Sequence, residues 1–195
     1  MLLTEADLTR STDLDLALSI VRAAVIEADS ERHRAHLLEF CAAHPDALHR
    51  TCAEGHLTGS ACVIEEGTGR LAFLLHAKIG RWLQPGGHAD GEANLTQVAL
   101  DEATEETGLA GLTVASPAVD IDVHVFDAPG EPEHFHFDVR HLVLAPEGSI
   151  LEANHESHDL GWFDPSDLGP LALDPGTHRL IARAEAMARE LGRIG

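Results

Sequence analysis

The segment from residue 94 to residue 108 limits the fold strongly, because it has the features of a helix with a defined start and end. Asn94 can cap the first turn, with Gln97 three residues later, and Gly108 can end the helix. At about 100° per residue, the apolar residues of this region share one side of the helix. They are Leu95, Val98, Ala99 and Leu109. The pattern predicts a helix with one side packed against a core.

Three glutamates lie within one turn of this predicted helix. Glu102 and Glu106 fall in the same sector as the apolar residues, and Glu105 lies at its edge. An acidic run on a helix usually faces solvent, but carboxylates directed inward must be paired, protonated or bound to a metal. The segment contains no lysine or arginine, so a cation is the expected partner. Oxygen ligands at this density favour Mg²⁺ or Mn²⁺.

The rest of the chain alternates predicted helices and strands. Two helices, at 12–27 and 30–43, precede strands at 58–64 and 70–77. Further strands are predicted at 118–126, 134–144 and 160–163, and a final helix at 176–191. This order predicts an α/β layered domain. We expect an N-terminal helical extension over residues 1–50 and the main domain over residues 51–195.

The segment from residue 87 to residue 109 resembles the Nudix box. That pattern is Gly, five residues, Glu, seven residues, then Arg-Glu-apolar-any-Glu-Glu-any-Gly-apolar, and residues 102–109 match its last part in full. The resemblance implies a Nudix-type α/β/α sandwich with a mixed β-sheet. It also implies Mg²⁺-dependent hydrolysis, with Mn²⁺ as a substitute ion. The bond cut would be a phosphoanhydride in a nucleoside diphosphate linked to another moiety.

Roles in catalysis and metal binding carry over by position from the resemblance. Glu102, Glu105 and Glu106 would be metal ligands, one of them serving as base for the attacking water, and the backbone carbonyl of Gly86 would be a further ligand. Members of the family often use another acidic residue from the region before Trp162, as ligand or base. Glu156 is the candidate there.

Two positions depart from the Nudix pattern. The first box glutamate falls on Ala93, with Glu92 displaced by one residue, and the box arginine is replaced by Asp101. In the family that arginine is thought to hold the catalytic glutamates in place. An aspartate adds negative charge and would raise the pKa of neighbouring carboxyls. A catalytically weak or inactive Nudix-fold protein that binds ligands therefore stays open as the alternative function.

Polar residues alternate along two neighbouring predicted strands, so that each set lies on one strand face. Asp120, Asp122 and His124 form the first set, and His134, His136, Asp138 and Arg140 form the second. A loop joins the strands, and a hairpin would align both sets. Three interpretations remain: a solvated face, a wall that recognises substrate, or a second metal site. The substrate-wall hypothesis names His88, Asp122, His124, His134, His136, Asp138 and Arg140.

Charge and cysteine content narrow the expected partners. The formal net charge is -20, which argues against nucleic acid or a membrane surface as partner and favours a small-molecule ligand. The extension could support a homodimer. Three cysteines without a CxxC pair make a disulfide framework improbable, and no signal peptide or apolar span is evident, so a cytoplasmic protein is expected. An isoprenoid diphosphate isomerase would need a reactive cysteine, for which Cys62 is the candidate.

Overall fold

The computed structural model describes residues 1–127, 130, 132–152 and 157–195. Four α-helices lie in this part of the chain. They are α1 (Leu14–Ala23), α2 (Glu31–Ala43), α3 (Leu95–Thr107) and α4 (Pro175–Glu190). All four predicted helices are present, although α1 is shorter than the predicted 12–27.

Nine strands are found among the described residues. They are β1 (Leu2–Leu3), β2 (Gly55–Glu65), β3 (Leu71–His76), β4 (Trp82–Leu83), β5 (Gly86–His88), β6 (Thr113–Ala115), β7 (Asp120–Phe126), β8 (His134–Ala145) and β9 (Ser157–Phe163). The predicted strands correspond to β2, β3, β7, β8 and β9. The four short strands of two or three residues were not predicted, because so short a segment shows no clear alternation.

These strands form one mixed sheet in the order β1-β6-β8-β2-β3-β4, with β5 also paired to β2, β7 to β8 and β9 to β3. The long central strands β2 and β8 run parallel, from Gly55 opposite Phe135 to Glu65 opposite Ala145. The remaining pairs are antiparallel. The β7–β8 hairpin places Asp122 opposite Asp138 and His124 opposite His136, which confirms the predicted alignment.

Helices cover both faces of the sheet. On the α3 side, Leu95 and Val98 share a core with Phe137 and Val139 of β8, and α1 and α2 join that core. On the opposite side, Leu180 of α4 packs in a second core that includes strand residues of β2 and β8. This arrangement confirms the expected α/β/α sandwich with a mixed sheet.

The ends of α3 follow the sequence signals. The Asn94 side chain accepts a hydrogen bond from the backbone N–H of Gln97, as an N-cap should. Gly108 ends the helix with a φ of 67°, in the left-handed region, and its N–H donates to Thr104 O at 3.0 Å. The caps set where the helix begins and ends. The packing of Leu95 and Val98 in the core then sets the direction in which the three glutamates point.

The predicted N-terminal extension is packed into the same sheet structure. β1 pairs with β6, and α1 and α2 contribute to the core on the α3 side. The Ser30 hydroxyl also donates to the buried Asp120 carboxylate at 2.9 Å. None of the described helices combines the length and apolar character that a bilayer span requires.

Candidate active site

The Gly86–Gly87 segment of β5 lies against the predicted metal-binding helix. The backbone N–H of Gly86 donates to Glu106 Oε2 at 2.9 Å. A methyl group added to Gly87 would collide with the Glu102 carboxylate, and one added to Gly86 would collide with the Ser60 side chain. Glycine lets the backbone pass directly beside a carboxylate on one side and a hydroxyl on the other without displacing either.

The three glutamates of α3 differ in environment. Glu106 is buried, with 5% of its surface exposed, whereas Glu102 is half-buried and Glu105 is exposed. A buried carboxylate is stabilised by hydrogen bonds and by cations, and Gly86 supplies one hydrogen bond to Glu106. Glu105 lines a groove of about 670 Å³ between α3 and the N-terminal segment, together with Arg10 and Asp101.

The donor chemistry of this region fits Mg²⁺ or Mn²⁺. Glu102 and Glu106 both adjoin the Gly86–Gly87 backbone, which brings two carboxylates to the same stretch of peptide. Among the described residues, the three glutamates do not form a cluster with all ligand atoms within 4.8 Å. Mg²⁺ tolerates this because it keeps several waters and commonly binds only one or two protein carboxylates.

Asp101, at the box arginine position, is half-buried and contacts the N-terminal segment. Its carboxylate accepts a hydrogen bond from Gln97 Nε2 at 2.7 Å and forms an ion pair with Arg10 Nη2 at 2.8 Å. The charge of Asp101, followed by its hydrogen bond with Arg10, raises the pKa of Arg10 above its ordinary value. A guanidinium is therefore present beside this end of α3, but it comes from the N-terminal segment.

Glu92, the displaced box glutamate, holds the turn before α3. Its Oε1 accepts hydrogen bonds from the backbone N–H groups of Ser11 at 2.9 Å and Asn94 at 2.7 Å. Its other oxygen lies 3.7 Å from Arg10 Nη1. Glu92 thus connects the N-terminal segment to the start of α3, and Arg10 bridges Glu92 and Asp101.

The opposite face of the sheet carries rows of polar residues that cross β7, β8, β2 and β5. One row runs through His124, His136 and His56. The next runs through Asp122, Asp138, Thr58 and His88, and a third through Asp120, Arg140, Ser60 and Gly86. Residues in register on neighbouring strands point to the same face, so these rows form one continuous surface.

The aspartates and Arg140 of this surface form a buried ion network. Arg140 is 3% exposed and donates to Asp138 at 2.6 Å and Asp122 at 3.3 Å. Asp138 also accepts hydrogen bonds from Thr58 and Ser60. Although burial alone would raise the pKa of Asp122, hydrogen bonds from His124 and Arg179 and the charge of Arg140 hold it far below its ordinary value.

Two arginines of α4 complete this network. Arg179 donates to Asp120 at 3.1 Å and to Asp122 at 2.6 Å, and Arg183 pairs with Asp120 and Asp29. Buried charges arranged in this way offset one another, although Arg140 Nη1, 3.6 Å from Asp120 Oδ2, makes no hydrogen bond among the described residues. Asp122, Asp138 and Arg140, predicted to contact substrate, therefore already have protein partners for their charges.

Four histidines lie together beside this network. The ligand nitrogens of His56, His88, His134 and His136 all lie within 4.8 Å of one another. Burial lowers the pKa of His56 to about 4, with His88 and His134 adding to the effect and the Cys52 backbone opposing it. Burial, followed by the neighbouring histidines, lowers the pKa of His136 to about 2. These two imidazoles are neutral near pH 7.

His124 belongs to the same face but has a different partner. Its Nδ1 lies 3.0 Å from Asp122 Oδ2, and its side chain is 42% exposed. The structure thus brings together the histidines named for a substrate wall, and it adds His56. Glu156 lies outside the described residues, and its predicted role in catalysis stays a prediction.

The chain was compared with models of known protein families. The model of the NUDIX domain matches residues 55–184, two thirds of the chain. The chain belongs to the Nudix family. This confirms the resemblance based on residues 87–109, and the chain is accordingly classed as a hydrolase. No curated protein sequence matches the chain.

Solved structures share this Nudix fold. An Ap4A hydrolase from C. elegans, in a binary complex, is 17% identical with a TM-score of 0.56, over 69% of this chain and 98% of that one. The NUDIX domain of NrtR from Shewanella oneidensis, complexed with ADP ribose, is 16% identical with a TM-score of 0.56, over 75% and 97%. The Nudix hydrolase RenU from M. smegmatis is 21% identical with a TM-score of 0.52, over 70% and 87%.

The isomerase alternative finds no support in this Nudix domain, because Cys62 is remote from the glutamates. Cys62 is 3% exposed and lies in the core beneath α4. Burial raises the pKa of its thiol well above the ordinary value, so the reactive thiolate is disfavoured. Cys41, Cys52 and Cys62 are all free and buried.

Two residues beside the candidate site of this Nudix protein were missed in the sequence. His56 alternates with Thr58 and Ser60 on β2, a period-two signal, but the strand was predicted to begin only at residue 58. Arg10 lies outside any helix or strand and about 90 residues before Asp101, so no local pattern points to it.

Proposed function

We propose that this Nudix protein hydrolyses a phosphoanhydride bond in a nucleoside diphosphate linked to another moiety, with Mg²⁺ or Mn²⁺ bound at α3. Glu102, Glu105, Glu106 and the Gly86 carbonyl would hold the ion. When bound, the ion would screen the diphosphate and lower the pKa of a coordinated water. A small-molecule nucleotide derivative suits a chain of net charge -20 only if cations offset the repulsion.

The hydrogen bond between Gly86 N and Glu106 Oε2 is the observation that carries this proposal. It fixes one carboxylate oxygen of a buried glutamate against the glycine backbone, and so sets the direction in which the whole carboxylate points. The neighbouring Gly87 keeps the Glu102 carboxylate close to the same backbone. A pre-positioned carboxylate costs little reorganisation when an ion or a water must be held.

The substrate class is supported by the names of two similar structures. One is an Ap4A hydrolase and another was solved with ADP ribose. Both ligands contain nucleoside phosphoanhydrides, the bond class that the glutamate site would cut. Glu156 is proposed as an additional ligand or base.

A catalytically weak protein that binds such ligands is the second candidate. The observation that favours it is Asp101 at the box arginine position, held by Gln97 and Arg10. In this case the chain would bind the nucleotide without releasing products at a useful rate.

The test incubates the tag-free protein with Mg²⁺ or Mn²⁺ and a panel of compounds: ADP-ribose, dinucleoside polyphosphates, nucleotide sugars and nucleoside triphosphates. Products are separated by anion-exchange chromatography, and reactions in ¹⁸O-labelled water show which phosphorus is attacked. We expect metal-dependent cleavage that falls roughly 100-fold or more in Glu106→Gln, because an amide is a poor ligand and no base.

The matched control is Glu190→Gln, an exposed glutamate of α4 that should leave the rate unchanged. Glu156→Gln is run alongside and should lower kcat if that residue is a ligand or base. Retained activity in Glu106→Gln would contradict the proposed site. Tight binding of a panel compound by calorimetry without any cleavage would favour the second candidate.

A further inference from the structure

Beyond the glutamate site, the structure contains a second group of metal-type ligands that the proposed hydrolysis does not use. His56, His88, His134 and His136 come from three strands, β2, β5 and β8, and lie on the face of the sheet opposite α3. Their ligand nitrogens all lie within 4.8 Å of one another. Ring centroids of His56 lie 4.8 Å from those of His88 and His134 and 5.1 Å from that of His136.

The environment of His56 shows that this is more than a chance contact of surface rings. His56 is 3% exposed, and although the Cys52 backbone lies near enough to raise its pKa slightly, neither ring nitrogen has a partner in good hydrogen-bonding geometry within the described part of the chain. Buried polar groups almost always have a partner, since leaving one unsatisfied destabilises the fold. A ligand between the four rings would satisfy a His56 nitrogen.

The orientation of His134 is that of a metal ligand with a supporting hydrogen bond. Its Nδ1 lies 2.7 Å from the backbone carbonyl of Pro132, so the proton resides on Nδ1 and donates to that oxygen. Nε2 then carries a lone pair and accepts a hydrogen bond from His136 Nε2 at 3.2 Å, so an ion bound between the two nitrogens would require the other tautomer of His136. Histidine ligands of metals typically donate their other N–H to a carbonyl or carboxylate in this way.

The distances also suit a tetrahedral ion. With metal–nitrogen bonds of about 2.0–2.1 Å, ligand nitrogens are separated by roughly 3.3 Å. The His134–His136 pair already has nearly this separation. The more distant pairs would close by at most about 1.5 Å, which small side-chain rotations can supply.

We propose that His56, His88, His134 and His136 form a binding site for a borderline-soft divalent transition-metal ion of the Zn²⁺ type, separate from the glutamate site. Imidazole nitrogens favour Zn²⁺, Ni²⁺ or Cu²⁺, whereas Mg²⁺ favours oxygen ligands, so the two sites select different ions. The ion ties β5 to β2 and β8. Because β5 also carries Gly86 and Gly87, the bound ion fixes the strand beside the catalytic helix.

The experiment measures Zn²⁺ binding to the tag-free protein after chelator treatment and dialysis. One equivalent should bind, and Co²⁺ in its place should give the visible absorption of a tetrahedral site. X-ray absorption of the Zn²⁺ form should show nitrogen ligands only. His136→Ala and the half-buried His134→Ala should each weaken Zn²⁺ binding at least about tenfold. Because His134 is only half-buried, His134→Ala should fold even if the substitution of the buried His136 prevents folding.

Two controls separate this site from its neighbours. His124→Ala removes a nearby, more exposed histidine of the same face and should leave Zn²⁺ affinity unchanged. Glu106→Gln should also bind Zn²⁺ as the unmodified protein does, even if it has lost hydrolysis, so the two proposals fail independently. Unchanged Zn²⁺ affinity in both histidine variants would overturn the metal site. An absence of Zn²⁺ binding to the unmodified protein would overturn it as well. A raised KM in His134→Ala would then indicate a substrate wall instead.

Discussion

Arg10 Nη2 lies 2.8 Å from Asp101 Oδ2, so a guanidinium of the N-terminal segment neutralises the residue that replaces the box arginine. The Arg10 side chain is 63% exposed, and an ion pair in such a place contributes only about 0.2–1 kcal/mol. The Arg10–Asp101 ion pair matters mainly for substitutions at position 101. Asp101→Arg, which would restore the family pattern, places a second guanidinium beside Arg10.

We therefore expect Asp101→Arg alone to lower the free energy of unfolding, and Arg10→Asp combined with Asp101→Arg to recover most of the loss. Urea unfolding of the two single variants and the double variant gives the coupling energy of a double-mutant cycle. Strictly additive effects would contradict a direct interaction between these residues. The rate of hydrolysis by the charge-swapped double variant should be compared with that of the unmodified protein, because the arginine at position 101 has an acidic neighbour in the double variant.

Gly87→Ala should impair hydrolysis while leaving the fold intact. The added methyl group would collide with the Glu102 carboxylate, the far end of a flexible side chain that can move away. We expect a change in stability below about 1 kcal/mol but a loss of kcat of at least about tenfold and a higher Mg²⁺ requirement, since small displacements of catalytic groups are costly. Gly169→Ala, with open space around the added methyl group, is the matched control. An unchanged Mg²⁺ dependence would argue against Glu102 as a ligand.

Arg140→Met should destabilise the protein by about 3 kcal/mol or more, because it leaves Asp138 and its neighbours as buried charges without their central cation. Arg140→Lys keeps the charge but loses the forked hydrogen bonds, so a smaller loss is expected. Arg193→Met, which removes an exposed pair with Glu66, should change stability by less than about 0.5 kcal/mol. Guanidinium unfolding measures all three. Equal effects of Arg140→Met and Arg193→Met would refute the buried network.

Glu65 should make stability depend on pH. Burial would raise its pKa, but hydrogen bonds from Thr68, Arg70 and the Gly148 backbone outweigh it and hold the pKa below the ordinary 4.5. A lowered pKa stabilises the fold fully above about pH 4.5, and this contribution is lost as the pH falls below that value. Glu65→Gln should therefore cost about 1.5–3 kcal/mol at pH 7 and progressively less toward pH 3.

The measurement for Glu65 is urea unfolding of both proteins at intervals from pH 7 to pH 3. Glu190→Gln serves as control, because this exposed residue should show a small difference that does not change with pH. A constant difference between wild type and Glu65→Gln across the whole range would show that Glu65 keeps its unfolded-state pKa.

Much of the candidate site could be predicted from local sequence. The cap at Asn94, the stop at Gly108 and the helical period together fixed the position of Glu106 on the buried side of α3. The alternation of residues 120–124 and 134–140 likewise predicted which side chains share a face of the β7–β8 hairpin. These features depend on residues a few positions apart, whose geometry is set by the period of a helix or strand.

Only the tertiary structure decided which distant residues meet. The parallel pairing of β2 with β8 places His56 opposite His136, 80 positions away, and no local period encodes that register. Arg179 of α4 closes over Asp122 and turns a predicted ligand surface into a buried ion network. Local periodicity follows from backbone geometry, whereas these contacts follow from how strands and helices bury their apolar faces together.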